Sequence, residues 1–133
     1  MKDFSELYRI ADEARKKAYA PYSKITVGAA LLCESGKIYT GANIENSAFS
    51  PSVCAERVAF FSAIHAGEKK FKAIAVAGGK AGEEAKKLFS PCGVCRQVMC
   101  EFCDSNFKII FGADTAANFS ELLPYSFNED YLK

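Results

Sequence analysis

A layered α/β fold, with helices covering a sheet, is predicted by three features of this chain. Apolar residues near its start recur at helical spacing. Two mostly apolar runs are joined by the turn Glu34-Ser35-Gly36-Lys37. Further apolar runs then alternate with longer Ala- and Cys-containing helical segments. The 133 residues suit one domain spanning residues 1–133, long enough to bury about two thirds of its unfolded surface.

Phe4, Leu7, Tyr8, Ala11, Ala14 and Ala18 fall at three- and four-residue intervals, so residues 3–20 are expected to form an amphipathic helix stopped by Pro21. Ile25 to Cys33 and Ile38 to Ala42 are expected as a hairpin, because the turn between them carries Ser and Gly. A polar loop over 43–52 ends in Ser-Pro-Ser. Residues 53–66, rich in Ala, Phe and Val, read as a buried helix closed by Gly67. Phe71 to Ala77 reads as a strand ended by Gly78-Gly79, and 80–89 as a loop with a short helix. Pro91 introduces a helix from about Gly93 to Cys103, since proline suits a first helical turn. A strand over 107–112, a short helix over 119–123 and an aromatic tail complete the chain. No internal repeat, low-complexity tract or linker interrupts it.

A net charge of +1 offers no basic field for nucleic acid or a membrane surface, and clusters such as Arg15-Lys16-Lys17 read as solvated surface. Met1-Lys2-Asp3 leads straight into the amphipathic segment without a signal-peptide apolar region, and no 18-residue apolar run is present. A cytoplasmic protein is therefore expected. Its six cysteines are then read as metal ligands or buried thiols, because the cytosol keeps thiols reduced.

Cys54-Ala55-Glu56 and Pro91-Cys92-Gly93-Val94-Cys95 carry the chemistry. Both segments sit where a helix is expected to begin, and the positive end of a helix favours the thiolate over the thiol. Cys92 and Cys95, three positions apart, can point two sulfurs at one ion, and Cys54 can approach from the other helix. Three thiolates fill three corners of a zinc tetrahedron and leave the fourth open, which distinguishes catalytic from structural zinc. Glu56, two residues from the first sulfur, is then placed to move protons at a water there; the alternative is a helix-start carboxylate favoured by the dipole. Arg57 is expected either to hydrogen-bond the thiolates from behind or to form a surface ion pair.

Cys100 and Cys103 form a second Cys-x-x-Cys. In one continuous helix Cys92 and Cys100 lie about 12 Å apart along the axis, whereas two sulfurs on one zinc lie within roughly 4 Å. Cys33, Cys100 and Cys103 are therefore expected to be buried small apolar residues. The spacing Cys95-x4-Cys100-x2-Cys103 also matches an iron–sulfur pattern, which an apolar helical context argues against. His65, the only histidine, is roughly 16 Å from Cys54 along a helix and suits a helix end instead.

With these segments in hand, the chain resembles the cytidine deaminases, specifically the small homotetrameric kind that binds zinc through three cysteines. The resemblance is carried by Tyr22-Ser23, Val27-Gly28-Ala29-Ala30, Gly41-Ala42-Asn43-Ile44-Glu45-Asn46, Cys54-Ala55-Glu56-Arg57, Pro91-Cys92-Gly93-Val94-Cys95-Arg96-Gln97 and Leu122-Leu123-Pro124, in order over nearly the whole length. Zinc deaminases share this ligand set, a non-ligand glutamate and a Pro-Cys-x-x-Cys segment. The resemblance implies a three-layer α/β/α sandwich around a mixed five-stranded sheet, one zinc per chain, and four subunits with shared sites.

It also implies hydrolytic deamination of cytidine and 2′-deoxycytidine to uridine and 2′-deoxyuridine with release of ammonia, as in pyrimidine salvage. Glu56 would act as both base and acid. Asn43 and Glu45 match residues that grip the ribose hydroxyls; without the family they read as a turn residue and a solvated loop carboxylate. The backbone around Ala55 would bind the pyrimidine carbonyl. Phe127 resembles an aromatic that stacks on the base from a neighbouring subunit, although a plain core or interface role suits it equally. Ile25 and Thr26 stand where relatives usually carry Phe and Pro, and Phe49 where a tyrosine is common, so selectivity is the property these departures bear on. The rival readings are a deaminase of another aminopyrimidine nucleoside such as blasticidin S, and a non-catalytic structural-zinc or iron–sulfur module.

Overall fold

Alternation along the central strands decides how the layers form. The computed structural model describes residues 4–133; Asp3, where the first helix is predicted to begin, lies outside the described residues. In β1 (Ile25–Cys33) every residue from Val27 onward is buried. Val27, Ala29, Leu31 and Cys33 enter one apolar cluster, while Ala30 and Leu32 enter another. A strand buried on both faces requires cover on both sides.

That cover comes from helices on opposite faces. Helix α1 (Ser5–Ala14) buries Leu7, Ala11 and Ala14 on one face. Helices α2 (Ala55–His65) and α3 (Gly93–Phe102) close the other, through Ala59, Phe60, Ala63, Cys95 and Met99. The expected three-layer arrangement is the observed one. The sheet has five strands in the order β2-β1-β3-β4-β5, with β2 (Ile38–Ala42), β3 (Phe71–Lys80), β4 (Lys108–Gly112) and β5 (Thr115–Asn118). Only β3 and β4 pair in parallel; the other neighbours are antiparallel. A short helix α4 (Phe119–Leu122) follows.

This topology brings two helix starts together. Strands β2 and β3 flank β1 and both run against it, so their carboxyl ends lie beside its first residues, with Gly28 opposite Ala42 and Ile25 opposite Lys80. Helix α2 follows the end of β2, and α3 follows the end of β3. The carboxyl edge of an open sheet is where α/β folds place ligands.

Several predicted elements change. The first helix ends before 20: Arg15–Lys17 tighten into a 3-10 turn, and Tyr19 bridges to Ile44, donating to Asn43 O at 2.9 Å. The buried Arg15 side chain turns inward there, donating to Thr26 O at 3.0 Å and to Lys80 O at 3.1 Å. Strand β3 does not end at Gly78-Gly79, which pair with Val27 and Thr26. Glycine is needed there because a Cβ on Gly78 would lie 2.6 Å from the Phe89 ring. The short helix expected within 80–89 is absent, because those backbone groups bond to the sheet edge instead: Lys86 N to Gly78 O and Phe89 N to Phe111 O, both 2.8 Å. Strand β5 was not foreseen, since Thr-Ala-Ala-Asn is too short and too weakly β-forming to register in sequence.

Helix α2 also starts later than Val53, because Val53 exchanges backbone hydrogen bonds with Ile44 and leaves Cys54 as the N-cap. The helix then lies directly on β2. A Cβ added to Gly41 would stand 2.3 Å from Ala55 O and 2.7 Å from Ala59 N. Gly41→Ala is expected to cost about 1–3 kcal/mol, the usual range for overpacking. Because it pushes on the turn bearing Cys54 and Glu56, it should also lower metal retention; denaturant midpoint and metal content measured together check both.

Candidate metal centre

Cys54 and Cys92 are the N-caps of α2 and α3, and Cys95 lies in the first turn of α3. Their sulfur atoms all lie within 4.8 Å of one another, the only such cluster of cysteine, histidine or carboxylate groups among the described residues. Cys54 Sγ is 3.7 Å from Cys92 Sγ, and Cys92 Sγ is 3.5 Å from Cys95 Sγ. Tetrahedral zinc with bonds of about 2.3 Å sets its sulfurs about 3.8 Å apart. The three side chains therefore fit a zinc ion.

Their electrostatics point the same way. The Cys54 thiol is held well below its ordinary value, first by the hydrogen bond with Cys95 and then, against burial, by Arg57 and Cys92. Cys95 moves far upward, for the same hydrogen bond and for burial. Cys54 is thus favoured as thiolate at the expense of Cys95, a crowding of negative charge that a cation would relieve. Arg57 Nη2 donates to Cys54 Sγ at 3.5 Å, the arrangement expected of it behind the sulfurs. Its Nε is buried without a partner among the described residues, leaving a donor in reserve beside the cluster.

Glu56 is 4% exposed in the first turn of α2. Burial is the main reason its carboxyl is pushed up to about 7, and the Cys54 charge adds to it, while Arg57 pulls it back. A carboxyl that gains and loses a proton near neutrality is suited to moving one.

A cleft of about 300 Å³ opens over these groups, walled by Ile25 and Val27 of β1, Asn43 and Glu45, residues 52–57, Phe89, Ser90 and Cys92. Asn43 and Glu45 are thus brought beside the cluster, but both are already engaged. Asn43 Oδ1 accepts from Val27 N at 2.8 Å and its Nδ2 donates to Ile25 O at 2.9 Å. Glu45 Oε1 accepts from Tyr22 N and Ser23 N at 3.0 and 3.1 Å, and its Oε2 accepts from the Ser23 hydroxyl. Ala55 is fully buried at the first position of α2.

Phe127 is not brought to the cleft of its own chain. Its ring is 57% exposed and stacks on Tyr131 at 5.5 Å, while its carbonyl accepts from Gln97 Nε2 at 2.9 Å and from Cys100 Sγ at 3.5 Å. The remaining cysteines lie apart from the cluster. Cys33 is buried as expected, and burial raises its thiol to about 11. Cys100 and Cys103 are only half-buried, contrary to expectation, because they lie at the margin of the core cluster, where α3 ends, rather than inside it. His65 is exposed in the last turn of α2.

Sequence reasoning missed Arg96. Its guanidinium donates to Pro91 O at 2.8 Å, Leu122 O at 2.6 Å and Ser90 Oγ at 2.6 Å, clamping the segment that delivers Cys92. No spacing signals a side chain that acts on carbonyls before its own helix and near the end of the chain.

Comparison with known proteins agrees with this geometry. The cytidine and deoxycytidylate deaminase zinc-binding region family matches residues 1–112. Cytidine deaminase from Sporosarcina psychrophila is 45% identical, over 98% of this chain and 95% of that one. The crystal structure of cytidine deaminase from Burkholderia pseudomallei matches with a TM-score of 0.82 at 41% identity, covering 92% of this chain and 97% of that one. The Mycobacterium tuberculosis cytidine deaminase structure matches with a TM-score of 0.85 at 32% identity, covering 96% and 99%. Blasticidin-S deaminase from Bacillus cereus is more distant, 29% identical over 94% of this chain and 92% of that one.

Cys92→Ala is expected to reduce bound zinc from one per chain to a small fraction of that under dialysis, with the helical content retained. Cys33→Ala and Cys103→Ala should leave zinc content unchanged; elemental analysis of the purified variants reads all three.

Proposed function

The chain belongs to the cytidine deaminase family, and we propose that residues 1–133 act as one catalytic domain converting free cytidine and 2′-deoxycytidine to uridine and 2′-deoxyuridine. The observation that carries this is a buried carboxylate next to three sulfurs that two helix starts bring within 4.8 Å of one another. Cys54, Cys92 and Cys95 would hold zinc. Bound there, zinc would supply Lewis acidity that can bring the pKa of a water from about 15.7 to about 7.

The chain's own groups do the rest. Glu56 accepts a proton from the attacking water and delivers it to N3 of the base, which makes C4 more electrophilic. Once the water oxygen has bonded to C4, the same carboxyl takes that oxygen's remaining proton and carries it to the amine, which leaves as ammonia when the C4–N bond breaks. A group whose proton affinity lies near neutrality can serve in both directions. Arg57 offsets thiolate charge that would otherwise blunt the metal's Lewis acidity. The backbone at Ala55, at the positive start of α2, suits the pyrimidine carbonyl. Asn43 keeps one N–H and Glu45 one acceptor position uncommitted, a donor and an acceptor suited to a sugar hydroxyl.

In this reading Phe127 stacks on the base in the site of another copy, within an assembly of four. The exposed apolar tail, with Tyr125 at 100% and Leu132 at 78%, supports a partner surface. A cytoplasmic setting suits a site that needs its thiols reduced.

Glu56→Gln should keep zinc and fold while lowering kcat for cytidine by about 10²–10⁴, the usual contribution of a positioned acid–base group. Loss of cytidine's ultraviolet absorbance measures this. Near-normal turnover by the variant would remove Glu56 from the mechanism. Turnover of blasticidin S without turnover of cytidine would move the substrate assignment to that class.

A further inference from the structure

The turn bearing Tyr22 and Ser23 lines the cleft, yet no step of the proposed reaction uses it. Its shape is unusual. Lys24 holds a left-handed backbone with φ of 63°, and the turn is tied by Lys24 N to Ala20 O at 3.1 Å and Ala81 N to Lys24 O at 2.8 Å. With the chain reversed in this way, the N–H groups of Tyr22 and Ser23 converge on one oxygen of Glu45, and the Ser23 hydroxyl donates to the other. The hydroxyl oxygen in turn accepts from Ile25 N at 3.0 Å. Its rotor is thereby fixed, because the backbone N–H leaves it only the donor role toward Glu45.

A carboxylate offers about four acceptor positions. Two on Oε1 are taken by backbone, and one on Oε2 is taken by the Ser23 hydroxyl. One position remains, and it belongs to Oε2. The Ser23 hydroxyl is also the first cause that keeps the Glu45 carboxyl below its usual range, so this oxygen stays an acceptor.

We propose that Ser23 is a positioning residue for nucleoside binding: its hydroxyl, locked by Ile25 N, fixes the Glu45 carboxylate so that a single acceptor position on Oε2 meets a sugar hydroxyl. The inference rests on the reading above, in which Glu45 meets the sugar. Ser23 does not touch the reacting atoms. Its contribution therefore falls on KM and depends on the sugar.

The test is steady-state kinetics of the zinc-loaded protein with cytidine, 2′-deoxycytidine and 2′,3′-dideoxycytidine, which lacks both ring hydroxyls. For Ser23→Ala, KM for the first two is expected to rise about tenfold, the scale of one hydrogen bond to a charged group. The loss falls on KM rather than kcat, and 2′,3′-dideoxycytidine is affected less than about twofold, because it makes no bond that Ser23 orients. Ser23→Thr keeps the hydroxyl and restores KM. In a Glu45→Ala background, Ser23→Ala adds no further loss, since a residue acting through another shows full coupling to it. A loss equal across the three nucleosides, or one that persists undiminished without Glu45, overturns the inference and leaves the deaminase reading standing. Wild-type protein inert towards cytidine overturns that reading and the inference together.

Discussion

The structure depends on two helices beginning at the same edge of one sheet. Helices α2 and α3 follow the carboxyl ends of β2 and β3, which bracket the first residues of β1. Each helix start orients orphan N–H groups and a partial positive charge toward the same small volume. Cysteines at these caps inherit that field, and their separation is set by strand pairing rather than by local chain geometry. The sequence distance of 38 residues between Cys54 and Cys92 collapses to 3.7 Å for this reason. Gly41 completes the constraint: helix α2 can rest its backbone on β2 only where no Cβ intervenes.

Three arginines, each placed by a different element, brace this edge. Arg15, following α1, ties the carbonyls of Thr26 and Lys80, holding the start of β1 to the end of β3. Arg96 ties Pro91 and Leu122, holding the lead-in to α3 against α4. Arg57 faces the sulfurs themselves. Guanidinium suits such work because its fork of donors reaches several carbonyls at once and stays charged when buried. A chain with a net charge of +1 thus spends part of its positive charge internally, so overall charge says little about what these residues do.

The parts of this arrangement legible in the sequence are those governed by residue identity and period. Strands Ile25–Cys33 and Ile38–Ala42 show as apolar runs around a Ser-Gly turn, and their bounds match those expected. The cysteines and Glu56 show because few residue types bind zinc or move protons, and their helix-start positions follow from local pattern. What was not legible depends on long-range backbone contacts. Gly78-Gly79 has the composition of a strand end, yet remains in β3 because it pairs with Val27 and Thr26, and the Phe89 ring leaves no room for a Cβ on Gly78. Ser23 meets Glu45 across 22 residues. That contact depends on the first helix stopping early, which lets Tyr19 bridge to Ile44 and accept from Glu45 N at 2.8 Å.

Charge explains why Arg57 directly follows Glu56. Three thiolates around a divalent cation would leave one net negative charge beside the buried Glu56 carboxyl. Glu56, nearly buried in the same turn, would then face an anion in both of its charge states. Its proton would be held so firmly that release to a base or an amine would become unfavourable. The Arg57 guanidinium, 3.5 Å from Cys54 Sγ, offsets that excess and returns the cluster close to neutrality. In the protein alone, burial is the leading cause that raises the Glu56 carboxyl to about 7, and Arg57 acts against it. Placing the cation one residue after the carboxylate, in the first turn of the same helix, ties both groups to one rigid element. Any movement of this turn carries Glu56 and the compensating charge together.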